Sequence, residues 1–126
     1  LVFLDPRLTT SALAHVLENA ARYSPLEAPI EIGVRVDEDH LSIAVRDHGP
    51  GIPGEVLAQI FERFYRRRNA GDDTFRSGMG LTITRGLLEQ QHGIISVANH
   101  PNGGATFTLN IPTTTRRISE LSADVA

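Results

Sequence analysis

Three stretches of this chain alternate apolar and polar residues with a period of two, and three others repeat apolar residues with a period near 3.6. The first helical stretch follows a short apolar run, Leu1 to Leu4, which reads as a strand. Asp5-Pro6 then marks a helix start, with Asp at the cap and Pro in the first turn. The helix is expected over Arg7 to Tyr23, with Leu13, Val16, Leu17 and Ala20 on an apolar arc opposite His15, Glu18, Asn19 and Arg22. Ser24-Pro25 ends it.

Ile30, Ile32, Val34 and Val36 alternate with polar or small residues, and so do Leu41, Ile43 and Val45. The polar turn Asp37 to His40 joins the two stretches into a predicted antiparallel hairpin. Between Glu55 and Phe64 the residues Val56, Leu57, Ile60, Phe61 and Phe64 fit one or two turns of packed helix. A second long helix is expected from Gly78-Met79-Gly80-Leu81 to about His92, with Leu81, Ile83, Leu87 and Leu88 turned inward and Gly93 as its stop. Ile94 to Ala98 and Ala105 to Ile111 form a second hairpin, and Pro112 closes the core pattern. Two helices on one side of a mixed, mostly antiparallel sheet bury all these faces, so the expected class is α+β, a two-layer α/β sandwich.

At 126 residues and 40% hydrophobic the chain suffices for one domain, placed at residues 1–112, followed by a flexible tail at 113–126. Residues 65–78 interrupt the periodicity with Arg66-Arg67-Arg68, Gly71-Asp72-Asp73 and Arg76. A structureless loop of that length in a small domain is typically a lid or a linker. Cysteine and lysine are absent and all twelve basic residues are Arg, which excludes disulfides, thiolate chemistry, Schiff bases and a lysine-bearing phosphate loop. Any phosphate chemistry falls to Arg, backbone amides or a metal. A formal net charge of −3 argues against general affinity for nucleic acid or for an anionic membrane. No apolar run reaches the roughly 18 residues of a membrane span, and the start at Leu1 without Met suggests a piece of a longer protein.

The candidate chemistry concentrates at three places. Val45 to Pro53 ends an apolar alternation at Asp47 and follows it at once with Gly49-Pro50-Gly51-Ile52. A carboxylate at the core edge can accept a hydrogen bond from a ring amino group, and bare glycines let a flat ring approach the backbone. The same residues also suit a plain turn. His15, Glu18, Asn19 and Arg22 share one helix arc, where an amide and a carboxylate can hold Mg²⁺ and a carboxylate can take a proton; a solvated helix face has the same composition. Gly78-Met79-Gly80 opens a helix with exposed amide donors suited to phosphate, and the arginines before it could stabilise a transferring phosphoryl group.

The order of these pieces is more specific than any one of them. Glu18-Asn19-Ala20-Ala21-Arg22-Tyr23-Ser24, Asp47-His48-Gly49-Pro50-Gly51-Ile52, Ile60-Phe61-Glu62-Arg63-Phe64-Tyr65-Arg66, Ser77-Gly78-Met79-Gly80-Leu81 and Gly103-Gly104-Ala105-Thr106-Phe107 follow one another. This series resembles the catalytic ATP-binding domain of bacterial sensor histidine kinases, in the wider group shared with type II topoisomerases, MutL and heat-shock chaperones. The resemblance covers about Asp5 to Pro112 and implies the Bergerat fold of that group. Within it, Asp47 to Pro53 and Asn99 to Gly104 look most like the potassium-responsive Kdp-type sensors.

By this resemblance Asn19 is similar to the family's Mg²⁺ ligand and Glu18 to the acid that polarises the attacking group. Arg22 and Tyr23 look like phosphate and nucleotide contacts. Asp47 matches the acid that recognises the adenine amino group, with Gly49, Gly51 and Ile52 beside it. Phe61 and Phe64 match the hinge of the ATP lid, and Arg66 a phosphate contact within it. Gly78, Met79, Gly80 and Leu81 resemble the glycine box near the phosphates, and Thr106 a hydroxyl near the adenine acid. His15 stands where relatives often carry a second Asn, Arg76 replaces a glycine, and Ile94 replaces the glycine expected after Gly93.

The resemblance therefore implies a kinase domain that takes ATP and Mg²⁺ and passes the γ-phosphoryl group to a histidine. That histidine lies on a separate dimerisation domain absent from this chain, with a response regulator as the further partner. The implied setting is a cytoplasmic domain of a protein attached to the bacterial inner membrane, with neither nucleic acid nor the membrane touched by the domain itself. Two alternatives stay open: a related-fold ATPase or serine kinase, and a non-catalytic ATP-binding regulatory module.

Overall fold

The computed structural model describes residues 2–57, 59–60 and 80–115. Its elements are β1 (Val2–Phe3), α1 (Pro6–Tyr23), β2 (Glu31–Val36), β3 (His40–Arg46), α2 (Gly54–Leu57), α3 (Gly80–Glu89), β4 (Ile94–Asn99), β5 (Ala105–Pro112) and β6 (Thr114–Thr115).

Helix α1 forms where the cap signal predicts. The Asp5 carboxylate accepts from the Arg7 and Leu8 amides at 3.0 and 3.1 Å, satisfying two donors the first turn leaves open. Ser24 leaves helical geometry with ψ 147°, as a residue before Pro25 must, and its amide closes the last turn onto the Ala20 carbonyl. The hairpin between β2 and β3 is turned by Asp37, whose Oδ1 accepts from the Asp39 and His40 amides at 2.9 and 2.8 Å.

The strands pair in the order β2-β3-β5-β4, antiparallel throughout. Register sets Val45 opposite Phe107 and Ile43 opposite Leu109, so one face carries Ile43, Val45, Phe107, Leu109, Ile111 and Ile95. Ala12, Val16 and Ala20 of α1 and Leu88 of α3 complete that core from the helix layer. The side chain of Gln91 ties the two helices together, accepting from the Asp5 amide at 3.2 Å and donating to Thr9 Oγ1 at 3.0 Å.

Four expectations change. Ile83 is 42% exposed rather than inward, and Thr84 occupies the core-facing position, because only Leu81, Thr84 and Leu88 recur at the spacing of one helix face. α3 ends at Glu89, and the left-handed residue after it is His92, with φ 63°, not Gly93. Gly93 is required instead for close packing: a Cβ there would lie 3.0 Å from the Asn110 carbonyl oxygen. Ile32, Val34 and Val36 share the core face of the sheet yet are 52%, 64% and 48% exposed, since β2 is the edge strand and the helices cover its neighbours. Order also extends past Pro112: Thr113 donates to the Asp39 carbonyl at 2.8 Å, and Thr114–Thr115 pair with β1. Phe61 and Phe64 lie outside the described residues.

Candidate functional site

The polar arc of α1 divides in the structure. His15, Asn19 and Tyr23, spaced four apart, are half-buried along one flank of the buried stripe Ala12, Val16, Ala20. Glu18 and Arg22 are exposed, Arg22 in the last turn of the helix. The flank bearing Asn19 and Tyr23 leads straight to the end of β3. A Cβ on Gly49 would overlap the Tyr23 carbonyl and stand 3.1 Å from its carbon, so the bare backbone of Gly49 is what lets the two segments meet. Next to this contact Ser24 Oγ accepts the His48 amide hydrogen at 2.9 Å.

Asp47 continues the inward parity of Ile43 and Val45 and is only 4% exposed. Its amide donates to the Ala105 carbonyl at 2.9 Å. Its Oδ1 accepts twice, from the Gly49 amide at 2.9 Å and the Ala105 amide at 3.2 Å. Among the described residues nothing donates to Oδ2, and no cation pairs with the carboxylate. A carboxylate so held has, among the described residues, a second oxygen whose lone pairs can meet a ligand donor.

The loop from Asp47 is fixed at several points. Gly51 adopts φ 83°, and the Ile52 amide and carbonyl both bond the Asn99 side chain, at 2.7 and 2.8 Å. Gly104, also at φ 83°, lies against Asp47 so closely that a Cβ would overlap its carbonyl oxygen. On the open face of the sheet Glu31 joins His48 Nε2 at 2.7 Å and Arg46 at 3.6 Å, and Arg46 donates to the Gly103 carbonyl at 3.2 Å. The His48 hydrogen bond, with help from Arg46 and His100, holds the Glu31 carboxyl below its ordinary range against a smaller desolvation effect.

Tyr23, Asp47, Gly49, Gly51 and Ile52 thus come together where α1 ends and β3 stops, and Asn19 lies one helical turn before Tyr23 on the same flank. Gly80 opens α3, and Leu81, half-buried, packs against the core. Arg66, Gly78 and Met79 lie outside the described residues. Thr106 is a correction: it pairs with Arg46 on the open face, because side chains alternate along β5, and so its hydroxyl is on the other side of the sheet from Asp47. Ala105, one residue earlier, faces inward and supplies the contact through its backbone. Sequence reasoning quoted Ser24, Asn99 and Gly104 within its motifs but gave them no part in this assembly.

The chain belongs to the family described as histidine kinase-, DNA gyrase B-, and HSP90-like ATPases, whose model matches residues 4–115. Its similarities within that family are to sensor histidine kinases. It is 39% identical over 112 residues to the signal transduction histidine-protein kinase AfsQ2 of Streptomyces coelicolor, covering 86% of this chain and 20% of AfsQ2. It is 37% identical over 109 residues to the sensor histidine kinase CpxA of Escherichia coli, covering 86% of this chain and 23% of CpxA. Sensor protein KdpD of Escherichia coli matches at 35%, covering 89% of this chain and 12% of KdpD, so a Kdp-type origin is one possibility among several. The solved mycobacterial sensor histidine kinase MprB superposes with a TM-score of 0.79 at 26% identity, over 90% of this chain and 78% of the MprB chain. The described residues contain no helix long and apolar enough to cross a membrane.

Proposed function

We propose that this chain binds ATP with the adenine on Asp47 and the phosphates toward α1. Within a longer sensor kinase it then presents the γ-phosphoryl group to a histidine on a separate dimerisation domain, from which a response regulator draws it. The observation that carries the reading is Asp47 itself: 4% exposed, anchored through Oδ1 by two backbone amides, and with Oδ2 offered to no described residue. An adenine amino group is a donor of the right kind for that oxygen. Membership in the ATPase family and the similarity to AfsQ2 and CpxA support the same ligand and reaction.

The donor set on α1 fits Mg²⁺. Asn19 offers one carboxamide oxygen on the half-buried flank, and among the described residues no three His, Asp or Glu side chains converge as an all-protein cage. Mg²⁺ suits such a site, since it takes one or two protein oxygens beside water and substrate phosphate. When bound, it supplies charge neutralisation at the phosphates. In this reading Glu18, exposed beside Asn19, hydrogen-bonds the incoming imidazole and accepts its proton. Arg22 provides positive charge on the same helix, and Tyr23 lines the nucleotide side. By the same reading Gly78, Met79, Gly80 and Leu81 supply amide donors to the phosphates, and Arg66 a further positive charge. In its parent protein the domain works on the cytoplasmic side of an inner-membrane sensor.

ATP titration with and without Mg²⁺ tests the site. Asp47→Asn keeps an acceptor for the two amides and turns the free oxygen into a donor, so ATP affinity falls roughly 10- to 100-fold. Asn19→Asp changes the gap between affinities measured with and without Mg²⁺. Wild-type behaviour of both variants overturns the site assignment. Supplying the histidine-bearing domain with Mg²⁺-ATP yields acid-labile, alkali-stable phosphate; no such product leaves a binding module rather than a kinase.

A further inference from the structure

Asn99 ends β4 as an exposed residue, yet both functional atoms of its side chain are engaged by one residue far away in sequence. Oδ1 accepts from the Ile52 amide at 2.7 Å and Nδ2 donates to the Ile52 carbonyl at 2.8 Å. A carboxamide has the donor and acceptor of a peptide group, so Asn99 pairs with Ile52 as one more rung of sheet where no strand continues. Directly across the β4–β5 ladder from Asn99 is Ala105, the residue whose amide holds Asp47 Oδ1 and whose carbonyl takes the Asp47 amide. The segment Asp47 to Ile52 is therefore fastened at both ends to a single rung, Asn99–Ala105. Between those ends Gly51 takes a left-handed conformation, with room for a Cβ only 3.1 Å from Asn99 Oδ1.

We infer that Asn99 is a positioning residue for the nucleotide base: it sets the height of the Gly49–Ile52 backbone against Asp47 Oδ2, and through that it sets base selectivity. This rests on the reading of Asp47 as the adenine acceptor. A flat ring held by one carboxylate oxygen needs the opposing backbone at a fixed distance, and bonds to charged acceptors weaken steeply with misalignment. Asn99 touches no nucleotide in this account. Its effect passes through Ile52, which is 4% exposed and packed in the core.

Two variants test it. Asn99→Ala removes both bonds. Asn99→Asp keeps the shape and the acceptor for the Ile52 amide but sets a carboxylate oxygen against the Ile52 carbonyl. ATP and GTP are titrated against the folded proteins well below their unfolding temperatures, beside the wild type and Asp47→Asn. The expected result is about a tenfold loss of ATP affinity in each Asn99 variant, with a smaller loss for GTP, so that the ATP-to-GTP preference narrows. A role confined to stability lowers the unfolding temperature and leaves both affinities of the folded protein untouched, which overturns the inference. So does an equal loss for the two nucleotides. If Asp47→Asn binds ATP like the wild type, the adenine reading itself fails, an outcome distinct from normal binding by the Asn99 variants alone.

Discussion

Gly104→Ala measures how tightly the hairpin turn is pressed against the acid. At this position a methyl group would overlap the Asp47 carbonyl oxygen and come within 2.8 Å of its carbon and 3.1 Å of His48 Cα. All of these are backbone atoms, which no rotamer change can move. The residue also adopts φ 83°, where a side chain costs roughly 1–2 kcal/mol. Making room by shifting backbone adds roughly 1–3 kcal/mol, so the total comes to about 2–5 kcal/mol. Gly103 is the internal control: its φ is 107°, yet a Cβ there meets nothing within 4 Å, so Gly103→Ala should cost only the conformational part. Urea unfolding of the two variants and the wild type isolates the collision as the difference between them, about 1–3 kcal/mol. ATP affinity of Gly104→Ala should fall as well, since the displaced Asp47 carries both bonds to Ala105. Equal destabilisation by the two substitutions refutes the close approach.

Burial should separate two other apolar positions. Leu88→Ala removes a side chain with no exposed surface and costs about 2–5 kcal/mol, whereas Val34→Thr, at 64% exposure on the edge strand, stays within about 0.5 kcal/mol by the same unfolding assay. Stability should also decline in acid. Asp37 is held below its ordinary 3.8 by the Asp39 and His40 amides, and Glu31 below its ordinary 4.5 first by His48. Depressed carboxyls stabilise fully above their unfolded values and lose that contribution as pH drops through the folded ones. Unfolding midpoints followed from pH 6 downward should therefore fall below about pH 4.5, less steeply in Asp37→Asn; a variant with the wild-type slope contradicts the turn assignment.

The sequence by itself determined the elements and the family. Period-two and period-3.6 patterns, the Asp5-Pro6 start and the Ser24-Pro25 stop are local signals, governed by backbone sterics and capping, and they place α1, both hairpins and α3. The order of motifs from Asn19 through Asp47 to Gly78-Met79-Gly80 identified the family. What a local signal could not reveal is which neighbour covers a face and which side of a strand a residue takes. Ile32, Val34 and Val36 alternate as core residues do, but β2 is an edge and the helix layer stops short of it. Thr106 is one residue from Ala105, and strand parity alone sends its hydroxyl to the far face. Ser24 and Asn99 look like cap and turn residues in sequence. Only the fold brings Ser24 Oγ to the His48 amide and the Asn99 carboxamide to Ile52, across separations of 24 and 47 residues, because these bonds depend on strand register and on glycines that let backbones touch.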